Sequence, residues 1–116
     1  MKITLARLTL ALSSVALLTL SSAAGAAVDE DAAKALAKKN DCFKCHAIDK
    51  TKKGPSYQKV AKKFKGKEEE GMKEMLKNIT TGPKVKLEDG TEEDHKIIDT
   101  KDQAQIDNLL RWILAQ

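Results

Sequence analysis

Aromatic side chains are scarce in this chain of 116 residues: Phe43, Tyr57, Phe64 and Trp112 are the only four. Cysteine is limited to Cys42 and Cys45, and proline to Pro55 and Pro83. Two thiols exclude a disulfide-dense mini-fold. Methionine is missing after Met75. The apolar run from Leu8 to Leu20 covers 13 positions, broken by Thr and Ser, and falls short of the roughly 20 needed to span a bilayer. No internal repeat or low-complexity linker is present. The length permits one domain and not two. At 41% hydrophobic and 33% charged residues the sequence reads as globular, neither disordered nor membrane-embedded.

Residues 1–27 read as a cleaved export signal. Lys2 and Arg7 form a basic start, the apolar run follows, and Ala24-Gly25-Ala26 offers the small residues a signal peptidase accepts. Cleavage after Ala26 or Ala27 leaves residues 28–116 as one domain with no membrane span, and export places it in the bacterial periplasm. Removing the leader lowers the formal net charge from +4 to +2. There is no basic stripe with interleaved aromatics, so nucleic acid is not an expected partner. Charge is instead segregated along the chain. Val28 to Lys67 holds 12 Lys against 5 acids, whereas Glu68 to Gln116 holds 7 basic residues against 12 acids. A mature chain of this size buries a modest fraction of its surface, and with four aromatics it needs something else to fill its core.

Hydrophobic periodicity predicts helices. Asp29 to about Asp41 has acids at its start and Ala33, Leu36, Ala37 and Asn40 on one face. Asp49 to Pro55 is a loop closed by Gly-Pro. Ser56 can cap a short helix in which Tyr57, Val60, Ala61 and Phe64 recur, ended by Gly66. Glu68, Glu69 and Glu70 open a third helix with Met72, Met75, Leu76 and Ile79 as its stripe, stopped by Gly82-Pro83. The last helix starts with Thr100 and Gln103 at capping-box spacing and presents Ile106, Leu109, Leu110, Ile113 and Leu114. Between them, Lys84 to Asp99 alternates Val85 with Leu87 around an Asp89-Gly90 turn, then His95 with Ile97. The expected class is all-α: about four helices, with an elaborated loop or hairpin before the last.

Cys42-Phe43-Lys44-Cys45-His46 carries the chemistry. C-x-x-C-H is the signature of covalent haem attachment. Two thiols three residues apart on a helical turn face the same way, so both can bond one edge of a porphyrin while the adjacent imidazole reaches the iron. Rival readings are weaker. A thioredoxin-like dithiol needs a preceding strand, a zinc site needs a second ligand pair, and a simple Cys42–Cys45 disulfide gives His46 no task. A covalent haem also supplies the missing core volume.

With Ala35-Leu36-Ala37-Lys38-Lys39-Asn40-Asp41 before this motif, Ala47-Ile48-Asp49 and Gly54-Pro55-Ser56-Tyr57 after it, and a closing Leu110-Arg111-Trp112-Ile113-Leu114, the chain resembles the small bacterial class I c-type cytochromes over nearly all of its mature length. The resemblance implies the small cytochrome c fold around one haem c, thioether bonds at Cys42 and Cys45, and His46 as proximal iron ligand. It also implies that the Pro55 carbonyl accepts the His46 Nδ1–H and so orients the ring. One family feature is missing: a methionine in a proline-containing loop before the last helix, opposite the histidine. The strong iron ligand in that region is His95. A histidine beside Glu92, Glu93 and Asp94 can be a solvated residue, and the sixth position can be open, water-bound or filled by another side chain. The vacancy left by the methionine and the alternation with Ile97 favour His95. Met72 and Met75 sit at helical spacing in an apolar stripe, which marks them as core.

No nucleophile, acid–base pair or substrate pocket is legible, so the expectation is an electron-transfer protein and not an enzyme: a periplasmic one-electron carrier with His46/His95 ligation. A second imidazole in place of a thioether lowers the potential. The alternatives are a gas-binding or sensor-type haem protein with an open or displaceable sixth ligand, and the electron-accepting subunit of a larger oxidoreductase. Lys38, Lys39, Lys44, Lys50, Lys52 and Lys53 cluster around the motif and would steer a redox partner with an acidic docking surface.

Overall fold

The structure, a computed structural model, describes residues 27–116. The expected leader, residues 1–27, lies outside the described residues except for Ala27. Five helices and one two-stranded sheet follow in the order α1 (Glu30–Lys39), α2 (Cys42–Cys45), α3 (Tyr57–Lys63), α4 (Glu68–Thr81), β1 (Lys84–Lys86), β2 (Glu92–Asp94) and α5 (Gln103–Leu114).

α5 is the hub, packing on α1, α3 and α4. Its apolar stripe of Ile106, Leu109, Leu110 and Ile113 explains this, because a face that wide has to be covered from several sides. Ala33 and Ala37 are fully buried and small enough to let α1 approach α5 closely. Asn108 fastens the same pair of helices: its Oδ1 accepts from the Asp29 N–H at 2.8 Å and its Nδ2 donates to the Asp29 carbonyl at 2.8 Å.

Local chemistry sets the element ends. The Asp29 side chain caps α1 by accepting from the Ala32 N–H at 2.9 Å. α1 stops at Lys39, two residues short of the expected end, because Asp41 adopts the left-handed conformation at φ 57° and turns the chain into α2. Ser56 Oγ caps α3 by accepting from the Lys59 N–H at 3.0 Å. Three glutamates begin α4, where the helix dipole favours them, and Gly82 ends it at φ 58°, a left-handed position suited to glycine. Lys84 to Asp99 includes a hairpin, with Lys84 opposite Asp94 and Lys86 opposite Glu92.

Two expectations need correction. Ile97 is 54% exposed, so its alternation with His95 does not mark an inward face; Ile98 packs on the core instead, and β2 already ends at Asp94. The cap of α5 is Asp102, not Thr100. Asp102 Oδ1 accepts from the Ala104 and Gln105 N–H groups at 3.0 and 3.2 Å, while Thr100 Oγ1 accepts only from the Asp102 N–H at 3.1 Å. Asp102→Ala is therefore expected to cost about 1 kcal/mol of stability, and Thr100→Ala clearly less. Denaturant midpoints at constant slope measure the difference.

Candidate functional site

α2 sets Cys42 and Cys45 one turn apart, and both side chains line a cavity of about 590 Å³. His46 follows as the C-cap residue in an extended conformation, φ −119° and ψ 143°, which carries its ring off the helix axis. The chain then doubles back. His46 bridges to Thr51, and the Gly54 N–H donates to the Cys45 carbonyl at 2.8 Å. This return brings the Pro55 carbonyl to 2.7 Å from His46 Nδ1. A carbonyl can only accept, so Nδ1 carries the hydrogen and Nε2 keeps its lone pair. Burial, opposed by the Pro55 bond, lowers the His46 pKa, so the ring is neutral at pH 7.

Two neighbours fix the plane of that ring. Tyr57 stacks on it with centroids 5.3 Å apart and planes 20° apart. On another side there is no space for a side chain at position 54, because a Cβ there would lie 2.7 Å from His46 Cε1. Tyr57 also meets Phe43 and Trp112 edge-on, at 6.1 and 5.5 Å, so three of the four aromatics are spent behind the attachment turn. Burial pushes the Cys42 thiol pKa up, with the Tyr57 hydroxyl acting in the opposite direction.

His95 lines the same cavity. Its backbone N–H donates to the Pro83 carbonyl at 2.8 Å, and its Nδ1 donates to the Lys96 carbonyl at 2.9 Å. Like His46, it is left with Nε2 as the nitrogen that holds a lone pair. The two imidazole centroids lie 6.3 Å apart with planes 40° apart. Two imidazoles bound end-on to one metal ion through bonds of about 2 Å have centroids roughly 6 Å apart. The rest of the lining is mostly apolar, including Met75, Ile79, Val85, Leu109, Leu110 and Ile113. Its volume falls in the range of about 300–1,000 Å³ that holds organic cofactors. The residues present therefore fit a haem held between two imidazoles. A zinc site finds no support: among the described residues no three His, Cys, Asp or Glu side chains converge as a metal cluster. The thiols of Cys42 and Cys45 are free of each other.

The lysines around the motif are largely engaged. Lys39 pairs with Asp99 at 3.2 Å, Lys44 with Asp41 at 3.2 Å and Lys53 with Glu93 at 3.5 Å, while Lys52 Nζ donates to the Phe43 carbonyl. Sequence reasoning did not single out Asn40 or Gly82 for the site, and gave Gly54 only the turning of the loop. Gly54 reads as a turn former, although its role here is to leave room for His46. Asn40, buried among the cavity residues, reads as one position of a helical face. Gly82 reads as a helix stop, yet a Cβ there would also lie 2.9 Å from the His95 carbonyl. A polar Asn on an otherwise apolar face was the one available signal.

Comparison with known proteins agrees with this geometry. The cytochrome c family matches residues 30–116. No curated protein matches the chain. Among solved structures, the class 1 cytochrome MtoD from Sideroxydans lithotrophicus ES-1 is 51% identical over 77% of this chain and 97% of its own, with a TM-score of 0.71. The chain belongs to the cytochrome c family: it is a small class I c-type cytochrome, an electron-transfer protein with covalently attached haem c.

Proposed function

We propose that the chain is a periplasmic one-electron carrier in which Cys42 and Cys45 hold the haem by thioether bonds and His46 and His95 are the two iron ligands. The observation that carries this reading is the pair of imidazoles lining one cavity, 6.3 Å apart, each with Nδ1 engaged by a backbone carbonyl. The haem, when bound, supplies the centre that gains and loses one electron. The protein's own residues do the rest. Pro55 and Lys96 fix which nitrogen each ring offers, Gly54 and Tyr57 fix the plane of His46, and the aliphatic side chains give the haem an apolar surface to pack on. A pair of ligands already in place needs little rearrangement when the charge changes, which suits rapid exchange with a partner.

Export of residues 28–116 follows from the leader at 1–27, and the extracytoplasmic setting suits a covalently attached cofactor. Among the described residues no helix is long and apolar enough to cross a membrane. The partner proposed is a redox protein with an acidic docking surface. Lys38 and Lys50 carry no acidic partner within ion-pair distance among the described residues and leave positive charge beside the attachment turn.

Three outcomes test the reading. Oxidised His95→Ala is expected to give a high-spin absorption spectrum where wild type is low-spin; a variant spectrum identical to wild type contradicts His95 ligation. Carbon monoxide added to reduced wild type is expected to bind slowly or not at all, and rapid adduct formation would instead favour a gas-binding protein. Electron exchange with an acidic partner is expected to slow as ionic strength rises; a rate independent of salt contradicts the proposed docking surface.

A further inference from the structure

The His95 segment is a strap laid over the cavity, and its attachments are few. Beyond the Pro83 bond, the Ile98 N–H donates to the Ile79 carbonyl at 2.8 Å, which holds the strap to α4. At its far end the Asp99 N–H donates to Asn40 Oδ1 at 2.9 Å. Asn40 is 3% exposed and caps α1 two residues before Cys42. Its Nδ2 donates to the Leu36 carbonyl at 3.0 Å. A carbonyl on one side and an N–H on the other leave only one orientation for the amide, so both of its ends are committed. Asn40 thus spans 59 positions of sequence to join the attachment turn to the strap that bears the distal imidazole. A further link at this end is the Lys39–Asp99 ion pair, whose side chains are 67% and 45% exposed, and such exposed pairs contribute little.

We propose that Asn40 is a positioning residue for His95: by anchoring Asp99 it keeps the strap down and the sixth position closed. This rests on the assignment of His95 as a ligand. If the assignment holds, carbon monoxide can reach the iron only when the strap lifts, so its rate of binding to the reduced holoprotein reports strap opening. Removing the Asn40 acceptor should raise the opening constant without changing which ligand is bound at rest.

The test compares wild type with Asn40→Ala, Asn108→Ala and His95→Ala. Asn108 provides the control, since it makes a similar pair of bonds, to Asp29, that do not involve the strap. Asn40→Ala is expected to stay low-spin when oxidised and, when reduced, to bind carbon monoxide about three- to tenfold faster than wild type. Asn108→Ala should lose stability but bind at the wild-type rate within a factor of about two. An Asn40→Ala rate within that factor of wild type, or an equal acceleration in Asn108→Ala, overturns the inference. An oxidised His95→Ala spectrum identical to wild type overturns the ligand assignment first, and the inference with it. Should Asn40→Ala fail to fold, hydrogen exchange at the Asp99 amide of wild-type holoprotein decides: slowing by about tenfold or more supports the anchor, and exchange at the unprotected rate overturns it.

Discussion

A hydrogen bond from His46 Nδ1 to the Pro55 carbonyl sets the terms for the rest of this site. It settles the tautomer, and with the tautomer the nitrogen that can donate to a metal. To make that bond the chain has to reverse within nine residues, which accounts for the Gly54-Pro55 turn, the bridge to Thr51 and the lack of space beside Gly54. His95 uses the same device in a shorter form, donating to the carbonyl of the very next residue. Two backbone carbonyls therefore leave Nε2 as the free nitrogen of two imidazoles that line one cavity.

Charge segregation along the sequence is spent largely inside the molecule. Lys39–Asp99, Lys53–Glu93, Lys59–Glu88 and Lys63–Glu74 each join the basic half of the chain to the acidic half. Each pair is exposed and contributes little alone. Two of them, with the bond from the Glu88 N–H to the Lys53 carbonyl, lay the hairpin against the proximal loop and α3. The third ties the strap to α1, and the fourth joins α3 to α4. The hairpin and strap have few buried side chains of their own, so the backbone bonds to Lys53, Pro83 and Ile79 and the Asn40 bond, with a small addition from these pairs, hold them in place.

Much of this was legible in the residues. The attachment motif names its own chemistry, and the stripes of α4 and α5 follow helical periodicity closely enough to find the core. The hairpin was legible from Val85, Leu87 and the Asp89-Gly90 turn, since alternation and turn chemistry are both local. What escaped was non-local. Nothing near Asn40 in sequence announces that it meets Asp99, and an asparagine on a helical face does not name its partner. Ile97 misled because alternation reports a face only where a strand continues, and the strand ends at Asp94. Thr100 misled because two possible caps stand two residues apart, and backbone geometry selects the second. His95 was singled out by the lack of a methionine; its distance and angle to His46 depend on the whole fold.

The central claim is that two imidazoles, presented through Nε2, share one haem. Near-infrared magnetic circular dichroism of the oxidised wild-type holoprotein tests it most directly, because the position of the charge-transfer band identifies the axial pair. The expected result is a low-spin band characteristic of two imidazoles. A band characteristic of imidazole with thioether, or a high-spin signature from an open or water-bound position, contradicts it.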